Sequence, residues 1–230
     1  MPATAQVRQA LEAQKTVEQE VVEHARQSET APKGWPAALI MFHLGMWRER
    51  MRKALTDISE GREMTPPPEN QNEVNDAELA SGIGTPLADA AARSEHLLAE
   101  IMDLYDWMGE RPFQWYRAKT TTEAVLGNSF THPRSHMYEY WRENGELDRA
   151  NRLWEDAVTV LREVSSPALP LGTSLYNLAC ARVSQGMLDQ ALVLLEEALP
   201  LRPNLRESAP DDSDLEALHE DPRFQALIKG

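Results

Sequence analysis

The sequence predicts an all-α fold, a four-helix bundle followed by helical hairpins, and three observations lead to it. Apolar residues recur at helical spacing through almost every segment long enough to form an element. One long stretch rich in Pro, Asn, Glu and Gly, from Gly61 to Pro86, separates segments otherwise joined by short breaks. Past residue 145 a pattern of glycine and small residues occurs twice, 41 residues apart.

Taken in order, residues 3–28 are rich in Ala, Glu, Gln and Arg, all good helix formers, with Val7, Leu11, Val17, Val21 and Val22 as sparse apolar contacts. A turn is expected over Glu29 to Gly34. Trp35-Pro36 then opens a helix over 36–59, with proline where its missing N–H costs little. The first half of that helix is apolar on most faces (Leu39, Ile40, Phe42, Leu44, Met46, Trp47), and the second is amphipathic (Met51, Leu55, Ile58). A helix apolar nearly all round belongs at the centre. Thr65-Pro66-Pro67-Pro68 excludes helix, so 61–86 reads as a long connection with one helical turn near Val74 to Leu79. A third helix over 87–108 carries Leu98, Ile101, Tyr105 and Met108 on one stripe, and Gly109 to Pro112 ends it. An aromatic segment follows (Phe113, Trp115, Tyr116). With Trp107, its Trp115 and Tyr116 read as core, with a pocket wall as the alternative. A fourth helix runs to about Asn144. Four helices with one long crossing connection make a four-helix bundle.

Composition narrows the function. The 230 residues are 42% hydrophobic and 26% charged, enough for a core and a soluble surface. With 23 basic against 37 acidic residues the net charge is −14, which repels phosphate backbones and argues against nucleic acid as a partner. The longest apolar stretch, Trp35 to Trp47, is too short for a bilayer and contains His43, so no membrane partner is expected. Met1 to Lys15 lacks the apolar core of a signal peptide. The lone Cys180 suits a reducing compartment, and a cytoplasmic location follows. It sits at a small-residue helix position, where an inert thiol is expected.

In the C-terminal third, Gly145, Ala150, Trp154 and Ala157 share their offsets with Gly186, Ala191, Leu195 and Ala198, and Pro203 follows the second set. Small residues at those positions let paired helices approach closely while the large one fills the gap. The pattern resembles the tetratricopeptide repeat, spaced seven residues wider than usual, with the loop Ser165 to Gly172 as the insertion. Tyr176 to Ala181 resembles a repeat's first helix, and residues 213–229 resemble capping helices. The domains are thus 1–145 for the bundle and 131–230 for the repeats. The helix around 131–144 is shared: His132, His136, Tyr140 and Glu143 lie on one side, Met137, Tyr138 and Trp141 on another.

The chemistry-bearing residues are histidines. His132 and His136 stand at i and i+4, so both imidazoles leave one helix face and can reach one ion. Pro133 occupies the place where a zinc protease carries its general-base glutamate, so the pair is not that motif. His43 falls in the most apolar part of helix two, where an unpaired imidazole is costly. One histidine from helix two and two from helix four give a three-nitrogen face suited to Zn, Ni or Fe as divalent ions. His24, His96 and His219 lie among charged neighbours and are expected to face solvent.

Gly34-Trp35-Pro36, Met41-Phe42-His43-Leu44, Trp47, Gly127-Asn128-Ser129, Thr131-His132 and His136 resemble the DinB-like (YfiT-like) metal-binding bundles over roughly residues 5–145. That resemblance implies a divalent metal ion on His43, His132 and His136, and an activity akin to metal-dependent hydrolases or thiol-dependent transferases. Pro133 departs from the family pattern. A proline there removes a helical N–H and is expected to displace His132. Glu139 and Tyr140 are candidates to orient a ligand or water. A metal on three neutral imidazoles activates water or a thiolate, pointing to hydrolysis or thiol transfer on a small electrophile. The rival expectation is a non-enzymatic interaction module, its short tail taking a peptide partner or making a homodimer contact.

Overall fold

The computed structural model describes residues 4–28 and 33–229. They form α1 (Thr4–Gln27), α2 (Ala37–Ser59), α3 (Gln71–Gly82) and α4 (Leu87–Met108). A short antiparallel hairpin follows, β1 (Pro112–Trp115) with β2 (Ala118–Thr120). Next come α5 (Thr121–Leu126), a π-helical turn (Gly127–Thr131) and α6 (His132–Glu143) in one unbroken run. The chain ends with α7 (Leu147–Glu163), α8 (Ala168–Ser184), α9 (Leu188–Leu201), α10 (Leu205–Ser208), two 3-10 segments and α11 (Pro222–Lys229). The all-α expectation holds, and among the described residues no helix is long and apolar enough to cross a membrane. Two compact units divide at Ala150/Asn151, within α7, so 131–144 belongs to the first of them.

In the first unit α2 packs along α4, and α1 and α6 also contact α2. The expected stripe of α4 is buried in full, Leu98, Ile101, Tyr105 and Met108. On α1 the burial differs from expectation at three residues. Val17 is only half-buried, while Gln14 and Glu18 are interior. The cause lies on α2. Arg48 is 0% exposed, and its guanidinium donates to Glu18 Oε1 (2.5 Å) and Oε2 (2.8 Å) and to Ser94 Oγ (2.7 Å). Gln14 donates to Glu18 Oε1 at 3.0 Å. A buried cation needs such a cage, because neither its charge nor its N–H groups are solvated.

Two segments correct the sequence expectation. The connection after α2 carries the full helix α3 rather than one turn, started by Asn70, whose side chain accepts from the N–H groups of Asn72 and Glu73. Trp47 Nε1 donates to Asn75 Oδ1 (3.1 Å), and the Phe42 ring fills the space a Cβ on Gly82 would need, so α3 lies close on α2. The aromatic segment is the β-hairpin, which alternates Phe113 and Trp115 inward and turns at Tyr116 (φ +50°). Trp107 is 67% exposed and lies against Arg111, so it is not core. Of the expected turn Glu29 to Gly34, residues 29–32 lie outside those described, as does residue 3 of the first helix.

The repeated motif is visible as repeated turn geometry. Gly145 and Gly186 both have positive φ, +82° and +74°. After them Glu146 N–H bonds the Trp141 carbonyl (2.8 Å), and Met187 N–H bonds the Arg182 carbonyl (2.9 Å). Ala150, Trp154 and Ala157, and their counterparts Ala191, Leu195 and Ala198, are buried. In the second unit α8 pairs with α9, α8 with the 3-10 segment Ser213–Leu218, and α11 with α9. The loop expected to end at Gly172 is shorter, since α8 begins at Ala168 with its prolines near the helix start. The first of the expected capping helices is 3-10 rather than α.

Removing the carboxylate in Glu18→Ala strands the Arg48 charge in the interior. We expect a loss of about 3–5 kcal/mol, read as a lower urea midpoint at unchanged slope. A loss under about 1 kcal/mol would show that the pair does not hold α1 in place.

Candidate metal centre

The three predicted histidines meet. His132 Nε2 lies 3.1 Å from His43 Nε2 and 3.1 Å from His136 Nε2, and one ring nitrogen of each stands within 4.8 Å of the others. His43 is 2% exposed on α2, while His132 and His136 are half-buried on α6. Trp35 stacks on His136 (centroids 5.5 Å apart, planes 12° apart) and meets His43 edge-on. Trp47 closes the other side against His43 and His132.

His132, expected to be displaced by Pro133, is the nitrogen nearest both others. The backbone explains this. Pro133 has no N–H to give the helix, and the turn before it is widened from α to π. His132 N–H therefore bonds the Gly127 carbonyl, five residues back. The helix absorbs its proline, and α6 follows the π-turn without a break. The Asn128 carbonyl accepts a hydrogen bond from the His132 ring. Since Nε2 faces the other imidazoles, Nδ1 is the donor. Asn128 also reaches α2, its Nδ2 donating to the Trp47 carbonyl at 3.2 Å, and Ser129 Oγ donates to Asn128 Oδ1 at 3.0 Å.

Burial sets the protonation of the cluster. It pushes the His43 imidazole down to about 3, helped by the charge of His136, and pushes His136 down to about 4. His132 is held well below its ordinary value by burial, then by the charges of His136, His43 and Arg48. All three rings are neutral at pH 7, the form that binds metal.

The donor set fits a divalent ion. Two nitrogens sharing one ion at about 2.1 Å stand about 3.0 Å apart at a right angle and about 3.4 Å apart at the tetrahedral angle, a range that contains 3.1 Å. Hydrogen bonds alone do not account for the contacts. With Nδ1 protonated, His132 Nε2 has one in-plane lone pair and two neighbours at hydrogen-bond distance. The buried Nδ1 of His43 has no partner among the described residues.

Beside the cluster lies a cleft of about 170 Å³, lined by Trp35, Ile40, His136, Glu139, Tyr140 and Glu143. Glu139 pairs with Arg142 at 2.7 Å. The Tyr140 hydroxyl is 2.7 Å from His24 Nδ1, and burial raises its pKa, so it stays protonated. Glu143 folds over Gly34, in space a Cβ would fill. His24, expected in solvent, is thus half-buried and bonded to the cleft wall, and His219, also expected there, is half-buried and stacked on Phe224. His96 is exposed as expected. A larger cavity, about 590 Å³, is lined by residues including Phe42, Arg50 and Trp115 and by none of the histidines. Cys180 is half-buried, and burial pushes its thiol up, away from the reactive thiolate.

Sequence reasoning missed three contributors. Trp35 and Asn128 lie within the motifs that carry the family resemblance, so a signal for them existed. Nothing in the spacing links His24 to Tyr140 across 116 residues.

Neutral buried histidines make the metal-free fold sensitive to acid. In the unfolded chain they titrate near 6.5, so below that pH the unfolded state takes up protons that the fold refuses. Their contribution is complete above about pH 6.5 and is lost as pH falls toward 4. We expect the folded-to-unfolded ratio of metal-free protein to drop by up to about tenfold per pH unit for each of these histidines between pH 6.5 and 5. A His43→Asn variant should lose one histidine's share of that slope; identical slopes would refute the assignment. No family model, curated protein or solved structure matches the chain.

Proposed function

We propose that this protein is a divalent-metal-binding member of the DinB-like four-helix bundles, acting as a hydrolase or a thiol transferase on a small electrophile. The observation that carries the reading is the convergence of three neutral Nε2 atoms from α2 and α6 on one point beside an open cleft. His43, His132 and His136 would hold the ion, which the three-imidazole donor set leaves as Zn, Ni or Fe. When bound, such an ion supplies Lewis-acid activation of a water or thiol nucleophile.

The chain's own groups do the rest. Trp35 and Ile40 form the apolar wall against which a substrate body lies, and Trp35 keeps the His136 ring in plane. Tyr140 is protonated and backed by His24, so its hydroxyl donates a hydrogen bond to an oxygen that gains charge in the reaction. Glu139 and Glu143 orient a polar group at the mouth. A cytoplasmic location keeps the Cys180 thiol reduced.

A second reading rests on the tail. The matched turns at Gly145 and Gly186, with small buried residues at equal offsets, support tetratricopeptide-like hairpins and a non-enzymatic role in binding a peptide or a second copy of the chain. Metal content separates the two. Untagged protein should carry close to one divalent ion per chain by elemental analysis, and His43→Ala and His136→Ala should each lose nearly all of it while remaining folded. Trace metal in all three proteins would leave the interaction module standing alone.

A further inference from the structure

Pro133 looks like a defect in a metal-binding helix, yet it sits where a carbonyl must be freed. In an α-helix the Asn128 carbonyl would accept from His132 N–H, but here that N–H bonds Gly127. In a π-turn it would accept from residue 133, which is proline and has no N–H. Neither helical donor reaches the Asn128 carbonyl, and the His132 ring supplies one instead. The side chain of Asn128 is held meanwhile by the Trp47 carbonyl and Ser129 Oγ, so the peptide that carries this carbonyl is fixed against α2, the helix of His43.

We propose that Pro133 and the π-turn together act as a positioning element: they reserve the Asn128 carbonyl for His132 Nδ1–H, which locks the imidazole in the tautomer whose Nε2 lone pair faces His43 and His136. A histidine ligand has its lone pair on one nitrogen only while the other holds the proton, so a fixed Nδ1 donor is equivalent to a permanently prepared Nε2 ligand. An alanine at 133 restores a backbone N–H that competes for the same carbonyl and lets the turn close to α. The inference rests on the metal reading only for its affinity arm, since the tautomer belongs to the metal-free protein as well.

Two measurements on the full chain test it. In the metal-free wild type, imidazole nitrogen shifts should show His132 protonated at Nδ1; a ring protonated at Nε2 overturns the proposal whatever any variant does. In Pro133→Ala the His132 tautomers should mix and Co(II) and Zn(II) affinity should fall about 10- to 100-fold, with the thermal midpoint unchanged or raised because alanine suits a helix better than proline. A merely structural proline predicts the reverse pattern. Wild-type affinity with a pure Nδ1–H tautomer in Pro133→Ala would overturn the positioning role. Absence of Co(II) and Zn(II) binding by the wild type would instead sink the metal reading, and the tautomer measurement would still decide this one.

Discussion

Between His43 and Arg50, two turns of α2 carry an imidazole, an indole and two guanidinium groups toward other helices, and each group has a polar partner there. Arg48 is met by Glu18 on α1 and Ser94 on α4. The Trp47 indole is met by Asn75, and Arg50 by Glu78, both on α3. The Trp47 carbonyl is met by Asn128 in the π-turn, and His43 by His132 on α6. A misplaced apolar side chain loses packing, whereas a stranded buried guanidinium leaves an uncompensated charge in the interior. The polar atoms of one short segment therefore set the register of its neighbours, and the imidazoles converge because that register is set.

The same distinction explains what could be read from the residues alone. The stripe of α4, the interior first half of α2 and the i, i+4 histidine pair are local periodicities, and each stands where its spacing placed it. Gln14 and Glu18 were not legible as interior residues, because on α1 they look like any exposed polar pair; only Arg48, thirty residues beyond Glu18, explains them. His24 is the same case with Tyr140. Helix α3 was read as a connection because the triple proline before it dominated the segment, although the Asn70 cap was there to be seen. The hairpin was missed since its strands are only four and three residues long. Pro133 was read with the right chemistry and the wrong consequence. Losing an N–H does disturb the helix, but the disturbance is taken up by a widened turn upstream instead of a displaced His132.

The tail follows a different logic. It owes its shape to glycine turns and small residues that repeat at equal offsets, with little buried charge. Its Tyr176 donates to Asp212 at 2.8 Å, and burial raises the Tyr176 and Cys180 pKa values, so both groups are kept protonated. With both groups held protonated, neither offers a nucleophile near neutral pH, so the two units support different kinds of hypothesis.

Charge and size together limit what the cleft can accept. Three neutral imidazoles bring no negative charge to a divalent ion, and Arg48 is close enough to His132 to oppose one. Glu18 answers Arg48 directly, while Glu139 and Glu143 place carboxylates on the cleft wall beside His136. At about 170 Å³, against roughly 30 Å³ for a water in the liquid, the cleft holds about five or six waters or the reacting end of a small molecule, well short of a typical drug-sized pocket. Under the proposed function a transferred thiol would approach from the cleft, because Trp47 lies against His43 and His132 on the other side. Both substrates of a transfer would compete for one small opening, whereas hydrolysis needs only water beside the electrophile. Under the proposed function, space alone favours hydrolysis over thiol transfer at this cleft.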